Sequence, residues 1–96
     1  MSAIGVIATL RVQSGKEAEF EGVFAELAGA VNANEAGNSY YRLFRTSEAG
    51  IYKVLECYDD QAALDAHRAS DHFRSIGARL GPCLAGAPEI ETLGAA

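Results

Sequence analysis

Apolar and polar residues alternate from residue 4 to residue 13. Ile4, Val6, Ala8, Leu10 and Val12 fall on one side, and Gly5, Ile7, Thr9, Arg11 and Gln13 on the other. A period of two predicts a strand with one strongly apolar face. The period then changes. Phe20, Val23, Phe24, Leu27 and Val31 recur at helical spacing and form one stripe. Ser14 followed three residues later by Glu17 has the form of a capping box, so the helix is expected to start there. It should end near residues 32–34, ahead of the turn Glu35-Ala36-Gly37-Asn38.

Residues 39–46 predict a second strand, with Tyr41 and Leu43 on one side and Tyr40, Arg42 and Phe44 on the other. A Gly-containing turn at 47–50 leads into a third strand over 51–58. There Tyr52, Val54, Glu56 and Tyr58 oppose Ile51, Lys53, Leu55 and Cys57. Asp59 and Asp60 offer caps for a helix over 61–69. Ser70 can cap a further helical piece over 71–84, with Phe73, Ile76, Leu80 and Leu84 as its stripe and Gly81-Pro82 weakening its end. Residues 89–93 predict a short last strand. The order β-α-β-β-α-β predicts an α+β, ferredoxin-like fold: one antiparallel sheet with helices on one face. The chain has neither internal repeats nor low-complexity segments.

Such a sheet has a second face, and here it is not polar. Whichever side of the third strand meets the helices, the other carries either Ile51, Leu55 and Cys57 or Tyr52, Val54 and Tyr58. Over four strands that exceeds the apolar patch a monomer usually shows. A face-to-face homodimer would bury it.

Composition narrows the function classes. With 96 residues the chain fits one domain, and 49% apolar residues mark it as globular rather than disordered. A net charge of −5 with scattered basic residues argues against nucleic acid and against an anionic membrane surface. No apolar run reaches the ~18 residues of a membrane span. The uncharged start, Met1-Ser2-Ala3-Ile4, does not read as a signal peptide. Cys57 and Cys83 fit two reduced thiols, buried or half-buried, and a cytoplasmic location. Neither metal-ligand spacing nor a phosphate loop nor a nucleophile elbow is visible, so no metal and no tightly bound cofactor is expected.

Three stretches together carry a resemblance: GKEAEFE, NEAGNSYYRLFR and YKVLECYDDQAALDAHRASDHF. In order and spacing they resemble the antibiotic biosynthesis monooxygenase domain family over residues 4–93. The last stretch, with its glutamate strand and His-x-x-Ser-x-His-Phe, is the most specific. The resemblance implies a dimeric α+β barrel of ferredoxin-like subunits. It also implies cofactor-independent oxidation of quinols or polycyclic phenols by O2. A haem-degrading branch shares the fold, but its asparagine, tryptophan and ligating histidine fall on Ala8, Tyr58 and Gly77 here. The strand-three tryptophan of many quinol-oxidising members is likewise replaced by Tyr58.

The candidate catalytic residues are His67, Glu56 and Asn38. His67 can take a phenolic proton near neutral pH. Glu56, a carboxylate among apolar strand neighbours, can orient it. Asn38 can donate its amide to an anionic oxygen, though it can equally serve the turn it closes. Tyr58, Tyr41, Phe73 and Phe24 are the candidate substrate-binding residues, with Tyr58 a second donor to that oxygen. His72, beside Asp71 at a helix start, is expected to be exposed. Two other readings remain open: a non-catalytic dimeric module for a small apolar metabolite, and an oligomerisation domain.

Overall fold

The computed structural model describes residues 2–96; Met1, part of the uncharged start noted above, lies outside them. Four strands and three helices follow in the order β1 (Ile4–Arg11), α1 (Glu17–Asn34), β2 (Asn38–Arg45), β3 (Ile51–Tyr58), α2 (Gln61–Ala69), α3 (Asp71–Gly77) and β4 (Glu89–Gly94). The strands form one antiparallel sheet in the order β2-β3-β1-β4. This is the ferredoxin-like arrangement the hydrophobic pattern predicts.

The helices cover one face only. Val6, Ala8 and Leu10 of β1, Tyr41 of β2, and Tyr52, Val54 and Tyr58 of β3 are buried beneath them. All five stripe residues of α1 are buried against that layer. Across the sheet, Phe24 stacks on Tyr41 with ring centroids 5.4 Å apart. The opposite face carries Ile7 and Leu55 as a directly paired couple, with exposed Tyr40 and Phe44 to one side and exposed Leu93 to the other. No element among the described residues covers it. No helix among the described residues is long and apolar enough to cross a membrane.

Two local expectations are corrected. The first helix is not capped by Ser14: Lys16 occupies the cap position without a side-chain hydrogen bond. Glu17 instead turns back to accept from the Gly15 amide at 2.8 Å. Gly15, with φ of 89°, supplies the left-handed turn that makes this entry possible. The second correction concerns residues 71–84, which do not form one helix. The α-helix stops at Gly77, and after a turn a single 3-10 turn runs over Gly81–Cys83. Glycines cost helix stability, and Pro82 has no amide to extend an α-helical ladder. Gln13 Nε2 donates to the Leu84 carbonyl at 2.9 Å, tying the broken segment to the end of β1.

Candidate functional site

Between the sheet and its helices lies a cavity of about 630 Å3. Its lining is largely aliphatic and aromatic, from Val6, Ala8 and Leu10 on β1 to Phe24 on α1 and Phe73 on α3. The polar groups reaching it are few: His67, Glu56, Tyr41, Arg68 and Arg74. An apolar hollow with a few converging polar groups is the usual form of a small-molecule site.

His67 sits in the last turn of α2. That helix starts where Asp60 accepts from the Ala63 amide at 2.8 Å. It ends at Ser70, whose hydroxyl donates to the His67 carbonyl at 2.7 Å and accepts from the Phe73 amide at 3.2 Å. One serine thus closes α2 and opens α3. The imidazole is only 3% exposed. The rings of Tyr41, Tyr58 and Phe73 surround it, with centroids 5.3, 5.3 and 4.6 Å away.

The group that orients His67 is Glu35. Nδ1 lies 2.9 and 3.1 Å from the two carboxylate oxygens of Glu35. An ionised carboxylate can only accept, so Nδ1 carries the proton and donates it. In the neutral ring Nε2 then holds the lone pair. It makes no hydrogen bond to any described residue, and the ring lines the cavity. Glu35 also accepts from His72 Nε2. The His72 side chain is 16% exposed and that of Glu35 9%, so the expectation of an exposed His72 is corrected. The chain has two histidines, and both converge on this one carboxylate.

Glu56 lines the cavity, but its carboxylate accepts from the Tyr58 hydroxyl at 2.6 Å and not from His67. Its predicted role in orienting the imidazole falls to Glu35. Burial pushes the Glu56 carboxyl above its ordinary value of 4.5, an effect partly offset by the Tyr58 hydrogen bond and by His67 and Arg68. Burial also pushes the Tyr41 and Tyr58 phenols up, with Glu56 adding to both. Both therefore stay neutral donors. The Tyr58 hydroxyl is engaged by Glu56, whereas Tyr41 lines the cavity and its hydroxyl bonds no described residue.

Asn38 stands apart. Its Nδ2 donates to the Tyr40 carbonyl at 3.1 Å, across the register shift where β2 begins. This is the turn-supporting role, away from the cavity lining. Of the seven predicted site residues, the structure brings His67, Glu56, Tyr41, Phe73 and Phe24 to the cavity and places Tyr58 behind Glu56.

Sequence reasoning missed Glu35 as a site residue and read it as part of a turn. Its partners lie 32 and 37 positions away, so no local spacing marks it. A faint signal was available in two histidines five apart across a helix break, needing a common partner. Gly37 lets the Glu35 turn reach its place. A Cβ there would lie 2.6 Å from the Ala63 Cβ on α2, closer than two such atoms can pack. Gly37→Ala should therefore destabilise the fold by about 1–3 kcal/mol, read from urea unfolding midpoints. An unchanged midpoint would show that the turn is free to move away.

Glu56 makes a second prediction. Its folded-state pKa is raised, so the folded chain holds this proton more tightly than the unfolded chain. The resulting stabilisation is complete below the unfolded value near 4.5 and is lost as pH rises through the folded value. Glu56→Gln keeps an acceptor for Tyr58 without the charge. It should be more stable than the parent at neutral pH, with the difference shrinking as pH falls through the raised folded value and no longer changing below 4.5. Urea midpoints at the two ends of that range measure it, and an advantage for glutamine that grows on acidification would refute the sign.

Comparisons with other proteins bear on the same fold. The family model described as antibiotic biosynthesis monooxygenase matches residues 3–79. A Caulobacter crescentus CB15 protein, itself named for that family, is 52% identical over 99% of this chain and 91% of its own, with a TM-score of 0.96. A conserved protein of Methanosarcina mazei Go1 is 32% identical over 97% of this chain and 92% of its own, at a TM-score of 0.90. Rv0793 from Mycobacterium tuberculosis, 24% identical over 96% and 93% of the two chains, shares the fold at a TM-score of 0.87. No curated protein matches the chain significantly.

Proposed function

Because the chain belongs to the antibiotic biosynthesis monooxygenase family, we propose that it oxidises a quinol or polycyclic phenolic molecule with O2, without a tightly bound cofactor. Family membership supports the coarser statement, a monooxygenase or small-molecule-binding role. Fold alone does not carry the chemistry. The observation that carries it is His67: an imidazole fixed through Nδ1 by a nearly buried carboxylate, with Nε2 unengaged in an apolar cavity.

That arrangement suits a general base. Nε2 takes a proton from the substrate, and Glu35 stabilises the imidazolium that forms. The Tyr41 hydroxyl donates to the anionic oxygen left behind, the role first assigned to Asn38 or Tyr58. The electron-rich anion passes one electron to O2, and the substrate radical and superoxide combine as a peroxide. The carbon that bears the peroxide then loses its remaining hydrogen as the O–O bond breaks, and this proton together with the one the imidazolium returns makes up the water. One oxygen atom stays in the product as a carbonyl and the other leaves as water. All four electrons that reduce O2 come from the substrate, so the balance needs no other reductant. The apolar walls keep bulk water from the anion.

The subunit is read as half of a homodimer, its bare sheet face packed on the same face of a second copy. The second functional reading is a dimeric binding module without turnover. It is favoured by the Tyr58–Glu56 pair, which leaves Tyr41 as the cavity's one unengaged phenol. Oxygen uptake with a panel of quinols and anthrones, run beside ligand-induced melting shifts, separates the two. Uptake supports the oxygenase. Melting shifts without uptake support the module, and neither response would sink both.

A further inference from the structure

Glu35, His67 and His72 present one carboxylate and two imidazole nitrogens whose donor atoms all lie within 4.8 Å of one another. We infer that these three side chains form a binding site for a divalent transition-metal ion, with Zn2+ as its natural probe. The donors come from three separate supports: the end of α1, the last turn of α2 and the first turns of α3. Each is held by its own backbone, so the site is assembled before a cation arrives. The carboxylate is nearly buried, and it faces two groups that are neutral when unprotonated. A dication would compensate that charge more fully than two imidazole N–H groups do.

The donor set selects the metal. Two nitrogens and one oxygen suit zinc and its first-row neighbours, whereas Ca2+ and Mg2+ require mostly oxygen. Among the described residues no thiol joins the cluster, and the Cys83 sulfur lies against Glu19. Small outward movements of the rings would give the ~2.0–2.2 Å ligand distances zinc requires and leave a fourth position for water.

Binding would use the lone pairs of His67 Nδ1 and His72 Nε2, the two atoms that now donate to Glu35. The His67 proton would then have to reside on Nε2, toward the cavity. The metal-bound ring would be a donor there and no longer a base. Metal binding rests on the placement of the three side chains alone and holds whether or not the cavity oxidises anything.

The test is isothermal titration of the untagged full chain with Zn2+. The expected result is one ion per chain, with affinity weakening at lower pH because protons compete with the metal for its donor atoms. Glu35→Gln and His72→Ala should each lower the affinity at least about tenfold, since even outer partners of a metal site cost ~10–100-fold. If Glu35→Gln fails to fold, His72→Ala decides, because that ring is partly exposed and its removal leaves the Glu35–His67 pair in place. No saturable binding by the parent chain would overturn the site, as would parental affinity in a folded variant.

Discussion

Leu55→Asp is expected to turn a dimer into a folded monomer at micromolar concentration, seen as a halving of mass in sedimentation velocity. Leu55 stands opposite Ile7 in the two central strands, on the face that no helix covers. Tyr40, Phe44 and Leu93 continue the apolar surface outward. Burying about 600 Å2 of apolar area per subunit would contribute on the order of 15 kcal/mol before association costs. An aspartate in the middle would be desolvated without a partner. Twofold symmetry would set its twin in the same interface. Such a charge costs about 3–5 kcal/mol, roughly a thousandfold in Kd. The variant should keep its far-UV spectrum, because this side chain points away from the helical core. A parent chain that sediments as a monomer at tens of micromolar would remove the premise.

His67→Ala should lower oxygen uptake with a responsive quinol by about a hundredfold or more, the usual contribution of a positioned general base. Substrate binding should survive, since most of the cavity wall comes from other residues. The substitution also leaves Glu35 with one histidine and opens space among three aromatic rings, so the melting temperature should fall as well. Glu35→Gln separates the two effects. It keeps the volume but replaces the charge that stabilises the imidazolium, so kcat should drop while KM changes little. Full activity in His67→Ala would require another base, and Glu56 is the carboxylate in the lining.

The strands and α1 were legible because each has a face that must avoid water, and the period of that face differs between strand and helix. The α1 stripe from Phe20 to Val31 and the inward residues Val6, Ala8, Leu10 and Val12 emerged as predicted, while Ile4 is only partly buried. The Ser14 cap failed for a different reason. Ser14 and Glu17 satisfy a pattern, but Gly15 in its left-handed conformation turns the chain so that Glu17 meets the Gly15 amide instead. The break after Gly77 was half legible: the proline and glycine were visible, but the stitching to Gln13 that makes a break cheaper than a bent helix is a long-range fact. The placement of His67 at the cavity was recoverable from its type and position. Its partner was not, since Glu56 and Glu35 are both plausible acids in one dimension and only packing chooses between them.

Ser70, the single residue joining α2 to α3, has a further consequence. Each added residue turns a helix by about 100°. One insertion at this joint would swing His72 away from Glu35 while leaving every apolar stripe residue in its own helix. The meeting of the two imidazoles is thus governed by chain length more than by residue choice, and surface substitutions along either helix would leave it intact. Among relatives, a gap or an extra residue between these helices would mark the divergence of this corner more faithfully than percentage identity.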